Sequence, residues 1–176
     1  MERLVWRLSV FALVVGMLAL AGGKVVADDE DFEDFSPGLV GTYASAQHSV
    51  RRVDEDIAFV WGADVPDQRL RPGDFTANWN GRLLVKNDTT YRFHAFVQGD
   101  VKVTLGGRDV LSGSLQEPGW INGEPVEFEF GFHPLVVDFK RTAPEACIHL
   151  YWSSERFPLE PVPAHLLFYL GEDESV

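Results

Sequence analysis

The chain has 176 residues, 45% hydrophobic and 12% aromatic, with 27 acidic against 15 basic side chains and a formal net charge of −12. That is enough apolar material for one packed domain without covalent staples, and it excludes a chain disordered throughout. The acidic balance leaves no basic face to displace counterions from phosphates, which argues against nucleic acid as a partner. The single cysteine, Cys147, excludes an intramolecular disulfide, CxxC metal spacing and a CxxCH haem attachment; it is expected as a small buried or half-buried strand residue.

Residues 1–27 differ from the rest. Arg3 and Arg7 precede the apolar run "LSVFALVVGMLALAGG", and "VVA" at 25–27 puts small residues where a signal peptidase cuts. The pattern is that of a secretory signal peptide cleaved after Ala27. The run is short for a bilayer span, which favours cleavage over a retained anchor and leaves no membrane span in the mature chain. Without residues 1–27 the charge is −14, and six acids in "DDEDFED" (28–34) with three in "EDE" (172–174) leave residues 35–171 at −5. Residues 28–36 are expected as a solvated, disordered leader, 37–170 as the folded domain and 171–176 as an acidic tail.

From residue 38 the pattern has period two. "TYRFHAFV" places Tyr91, Phe93, Ala95 and Val97 on one face. "VEFEFGF" aligns Val126, Phe128 and Phe130 against Glu127 and Glu129. "PLVVDFKR" aligns Leu135, Val137 and Phe139, and "ACIHLYWS" aligns Ile148, Leu150 and Trp152. These are half-buried antiparallel strands. No segment has helical periodicity, and Gly and Pro punctuate at short intervals, as in "RPGD" and "GFHP". The spacing predicts an all-β sandwich or barrel of roughly ten strands. Trp79, in register with Phe75 and Ala77, reads as core, as do Trp61 and Trp152; Gly81 reads as a bulge or a close backbone approach. The stretch "FHAFVQGDVKVTLGG" (93–107) reads as a strand, a tight turn at Gly99–Asp100 and a second strand. "SGSLQEPGWING" (112–123) reads as a long loop carrying Trp120.

The order of these pieces resembles the PA14 domain. "GLVGTYAS" is similar to its opening strand, "IAFVWGADVPD" and "DFTANWNGRLLV" to its most distinctive segments, and "TTYRFHAFVQGDVKVTLGGRDVL" to its central hairpin. "HPLVVDFKR", "CIHLYWSS" and "EPVPAHLLF" resemble its last strands. The resemblance implies a β-barrel or β-sandwich module over about 130 residues. In sugar-binding members two adjacent aspartates at the hairpin tip hold calcium. Those positions fall here on Gln98 and Gly99, and Asp100 stands where the family has glycine. One carboxylate beside an amide is a poor cage for a hard divalent ion, so no tight calcium site and no cofactor are expected.

Two surfaces remain as candidate ligand sites. One is Gln98 with Asp100. The other is Trp120 with Gln116 and Asn122, where a ring covers the apolar face of a sugar and amides bond its hydroxyls; the alternative is a Trp120 folded down as a lid on the core. The five histidines (His48, His94, His133, His149 and His165) match no metal-ligand motif, and a His94–His149 pair across strands lacks the third and fourth ligands of a zinc site. There is no GxSxG elbow and no indicated acid pair, so no catalytic residue is assigned. Asn87-Asp88-Thr89 has the form of a glycosylation sequon. The expectation is an exported, non-catalytic module for a glycan or cell-surface polymer; the alternative is a structural or protein-interaction module of the cell envelope with an envelope protein as partner.

Overall fold

The computed structural model describes residues 35–171. The expected signal peptide, residues 28–34 of the leader and the tail from 172 lie outside them. The described chain contains β1 (Phe35–Pro37), β2 (Leu39–Ser45), β3 (His48–Asp54), β4 (Ala58–Gly62), β5 (Thr76–Val85), β6 (Thr89–Leu105) and β7 (Arg108–Asn122). It continues with β8 (Val126–Phe128), β9 (Gly131–Lys140), β10 (Ala146–Ser154), β11 (Phe157–Pro161), a 3-10 turn at Ala164–Leu166 and β12 (Leu167–Leu170). Phe35 and Ser36, grouped above with the leader, pair with Leu170 and Tyr169 in β1–β12.

Every pairing is antiparallel. The main path runs β1-β12-β5-β9-β6-β10-β11; β2 joins β5 and carries β3, β4 joins β10, and β7 and β8 join β6. The sheet does not close; it folds over on itself as a sandwich, and the longest strand makes the fold possible. The first half of β6 pairs with β10 from Tyr91 to Gln98, and its second half pairs with β9 from Asp100 to Leu105. The crossing point is Gly99, whose φ is 135° and whose absent Cβ would lie 2.7 Å from the Phe139 ring. Only glycine fits that backbone and that approach.

This corrects the expected turn at Gly99–Asp100. The chain runs through that point as strand and reverses at Gly106–Gly107 instead. The inward alternation continues unbroken through Val97, Gly99 and Val101, and partners on both sides supply the backbone hydrogen bonds that a reversal would have forfeited. Residues 112–122 likewise form strand rather than loop. β7 pairs along β6 but carries extra residues at 116–118, opposite Gln98 alone. Phe130 also departs from expectation: the strand ends at Phe128, and Phe130 is 68% exposed.

The core follows the period-two pattern. Tyr91, Phe93, Ala95, Val97, Val103 and Leu105 of β6 are buried, as are Phe75, Ala77 and Trp79 of β5 and Ile148, Leu150 and Trp152 of β10. Phe59 stacks on Trp61 and Trp79 with centroids 5.2 and 5.5 Å apart, so the β4 aromatics close one end of the core. Each such ring contributes about 2–3 kcal/mol by leaving water. Gly81 is a close approach, as expected: a Cβ there would collide with the Phe168 carbonyl oxygen and come within 2.6 Å of Leu39 Cδ2.

Two polar hubs brace this frame. Asp54 is 8% exposed and accepts from the Tyr43 hydroxyl, from Trp79 Nε1 at 2.9 Å and from Arg52 Nε at 2.8 Å. Arg141 is 7% exposed and donates to the carbonyls of Ala143, Ala63, Asp64, Gly73 and Pro144, fastening the loop after β4 to the loop after β9.

Candidate functional site

The outward face of the β7–β6–β10 layer gathers most of the polar and aromatic residues singled out above. Alternation in β6 sends His94, Phe96 and Gln98 outward between the buried positions. Register then sets their neighbours: Asn122 and Tyr151 flank His94, while Trp120 and His149 flank Phe96. Trp120 is 46% exposed. It lies edge-on to Phe96 at 5.5 Å and to Tyr151 at 4.9 Å, with interplanar angles of 67° and 62°. It is therefore not a lid over the core; it stands on the outer surface of the sheet, fixed by two half-buried rings.

Beside the rings runs a hydrogen-bonded row. His94 Nδ1 lies 2.6 Å from Asn122 Oδ1, and His94 Nε2 lies 3.0 Å from Ser153 Oγ. With Nδ1–H donating to the amide oxygen, Nε2 accepts the Ser153 hydroxyl proton. His94 is thus occupied with Asn122 and Ser153 rather than paired with His149. Asn122 itself is exposed. Cys147 lies in the same layer, 6% exposed, and burial pushes its thiol pKa up, which suits an inert strand residue.

The second group converges at the β6 crossing point. Gln98 is buried, and its Nε2 donates to the Gln116 carbonyl at 3.0 Å, filling the gap opened by the extra residues of β7. Asp100 Oδ1 accepts from the Ser114 hydroxyl and from Thr142 Oγ1 at 3.4 Å, and Gln116 Nε2 reaches Thr142 Oγ1 at 3.3 Å. Gln98, Asp100 and Gln116 are therefore brought together, with Gln98 bonded to the Gln116 backbone and Asp100 and the Gln116 amide both bonded to Thr142. Among the described residues no three His, Cys, Asp or Glu side chains converge to hold a metal ion. The geometry makes Gln98 a brace for the β7 bulge, four residues before Trp120.

Sequence reasoning missed Phe96, Tyr151 and Ser153 as members of the surface. Phe96 and Tyr151 sit at outward positions of strands read for their core faces, and alternation alone signalled that they point away from the core. A cleft of about 1070 Å³ lies elsewhere, lined by Asp88, Thr90, Arg108, Glu127, His133 and Arg156 among others. Arg108 there donates to the Glu127 carbonyl at 2.6 Å and covers the Phe128 ring at 4.2 Å, and His133 Nε2 donates to the Glu129 carbonyl at 2.8 Å. Both side chains are already engaged by the protein's own backbone.

A profile of the PA14 domain matches residues 35–158. The chain belongs to the PA14 domain family. Among curated proteins this PA14 domain is 30% identical over 120 residues to the anti-sigma-I factor RsgI3 of Acetivibrio thermocellus, covering 66% of this chain and 18% of that protein. Among solved structures it is similar to an anti-sigma factor domain-containing protein from Clostridium clariflavum, with a TM-score of 0.69, 20% identity and coverage of 75% of this chain and 47% of the other. It is also similar to the PA14 sugar-binding domain from an RTX adhesin, with a TM-score of 0.63, 14% identity and coverage of 76% and 98%. At such identities the structures share the fold. The chain spans less than half the length of the anti-sigma factor relatives it matches. No helix among the described residues is long and apolar enough to cross a membrane.

Proposed function

We propose that this PA14 domain is an exported, non-catalytic binding module for carbohydrate or a cell-surface polymer, and that it binds without the calcium-holding acid pair. The observation that carries the reading is the half-exposed Trp120, held edge-on by Phe96 and Tyr151 beside the Asn122–His94–Ser153 row. Rings of this kind take the apolar face of a sugar, and fixed amides and hydroxyls take its polar edge. The sugar-binding PA14 neighbour supports the ligand class. Asp100 and Gln98 serve as support in this reading, because Gln98 Nε2 and Asp100 Oδ1 bond groups of the protein itself.

The test is retention on a panel of immobilised polysaccharides. Wild type is expected to be retained on at least one, with Trp120→Ala and Tyr151→Ala each weakening retention tenfold or more at unchanged thermal stability. Retention indifferent to both substitutions would remove this face from consideration. A second reading, an envelope protein-interaction module, draws on the anti-sigma factor relatives. It takes precedence when every polysaccharide fails and one defined protein is captured through the same face.

A further inference from the structure

Resting on the carbohydrate reading, we infer that this face takes the interior of a linear, uncharged polysaccharide laid across the strands, rather than a chain end or a single sugar. Three observations lead there. First, the layer is open on both sides. The C-terminal half of β7 pairs only with β6, and on the other side β4 and β11, end to end, pair only with β10, so no strand lies beyond either edge of the face among the described residues. A ligand crossing from Trp120 on β7 past β6 and β10 toward β11 meets no further strand that would wall off a terminus.

Second, the polar and aromatic groups form two parallel rows running across the strands. Trp120, Phe96 and His149 share one row; Asn122, His94, Tyr151 and Pro161 share the next. Rows on one face of a strand are about 7 Å apart and neighbouring strands about 4.8 Å apart. The track from β7 to β11 is then about 14 Å long and one sugar ring wide, room for roughly three linked pyranose units. Trp120 and Tyr151, in contact with each other, supply the stacking surface across the two rows. Asn122 and Ser153, joined through His94, supply groups for hydroxyls along one edge.

Third, the two rows themselves carry no formal charge. Trp120, Phe96 and His149, and Asn122, His94, Tyr151 and Pro161, include no carboxylate, guanidinium or ammonium. The nearest cation, Arg92, lies one position beyond, opposite Ser153, and donates Nε to the Gly123 carbonyl at 2.8 Å. The rows thus hold no group to pair with a uronate or a sulfate, and no carboxylate to bridge one through a cation. A neutral backbone of hydroxyls and ring C–H groups is the matching chemistry.

Calorimetric titration with neutral β-1,4-linked gluco-, xylo- and manno-oligosaccharides of one to six units tests this. For the series that binds, affinity is expected to rise at least tenfold between two and four units and then level off. It is expected to be unchanged by borohydride reduction of the terminal sugar and by EDTA. Trp120→Ala and Asn122→Ala should each lower it, the former more. Full affinity for a monosaccharide or disaccharide, or loss of affinity on end reduction, overturns the interior mode while leaving carbohydrate binding intact. Binding to no member of any series, with none to the polysaccharides either, overturns both.

Discussion

Asp54 offers the sharpest test of how this fold is held. Its carboxylate takes the Trp79 indole N–H and the Tyr43 hydroxyl on one oxygen and Arg52 Nε on the other. Trp79 and Tyr43 are 0% exposed, so water cannot replace the lost acceptor. Asp54→Ala therefore strands two buried donors at about 1–3 kcal/mol each. The Arg52 side chain is 34% exposed, so its lost ion pair is screened and adds less than about 1 kcal/mol. The expected loss is about 3–5 kcal/mol, a large part of a typical domain's stability. Asp54→Asn separates the contributions. Its amide oxygen can still accept from Trp79 and Tyr43, while its NH2 faces the Arg52 donor, for a cost of about 1–2 kcal/mol. Urea unfolding followed by tryptophan fluorescence reads both variants. An Asp54→Ala domain within about 1 kcal/mol of wild type, or an Asn variant as unstable as the Ala variant, would refute the account of this hub.

Arg141→Lys should destabilise the domain by about 2–4 kcal/mol, because a compact ammonium cannot span five carbonyls that a guanidinium fork reaches. Limited proteolysis should then cut first between residues 63 and 73. Gly81→Ala should cost about 3 kcal/mol through the clash with Phe168 and Leu39, read as a lower melting temperature with the oligosaccharide specificity unchanged. Burial, followed by the hydrogen bond and charge of Asp54, pushes the Tyr43 phenol well above its ordinary value of 10.0. The unfolded chain thus loses this proton first, and the contribution present below pH 10 declines as pH rises beyond it. Tyr43→Phe should be less stable at neutral pH yet show a shallower alkaline decline in denaturant titrations.

The sequence carried the fold through alternation. Phe75, Ala77 and Trp79, or Tyr91, Phe93, Ala95 and Val97, could face one core only as extended strands, and the order of the segments carried the family. The site was legible in part: Trp120 and Asn122 were found from composition, but as members of a loop. The partners that hold them, Phe96, Tyr151, His94 and Ser153, lie on other strands, in contacts spanning 24 to 59 residues, and only register brings them together.

Local chemistry misled at Gly99–Asp100 for a definite reason. Gly and Asp are turn residues wherever nothing else decides, but here the backbone has strand partners on both sides, and pairing outweighs local preference. The side-chain alternation that makes a strand amphipathic is written in the chain, so the layers and the core were determined by sequence alone. Which outward residues become neighbours depends on how distant strands align. That alignment is fixed by packing and hydrogen bonding across the whole sheet, so the tertiary structure alone turned a scatter of rings and amides into one surface.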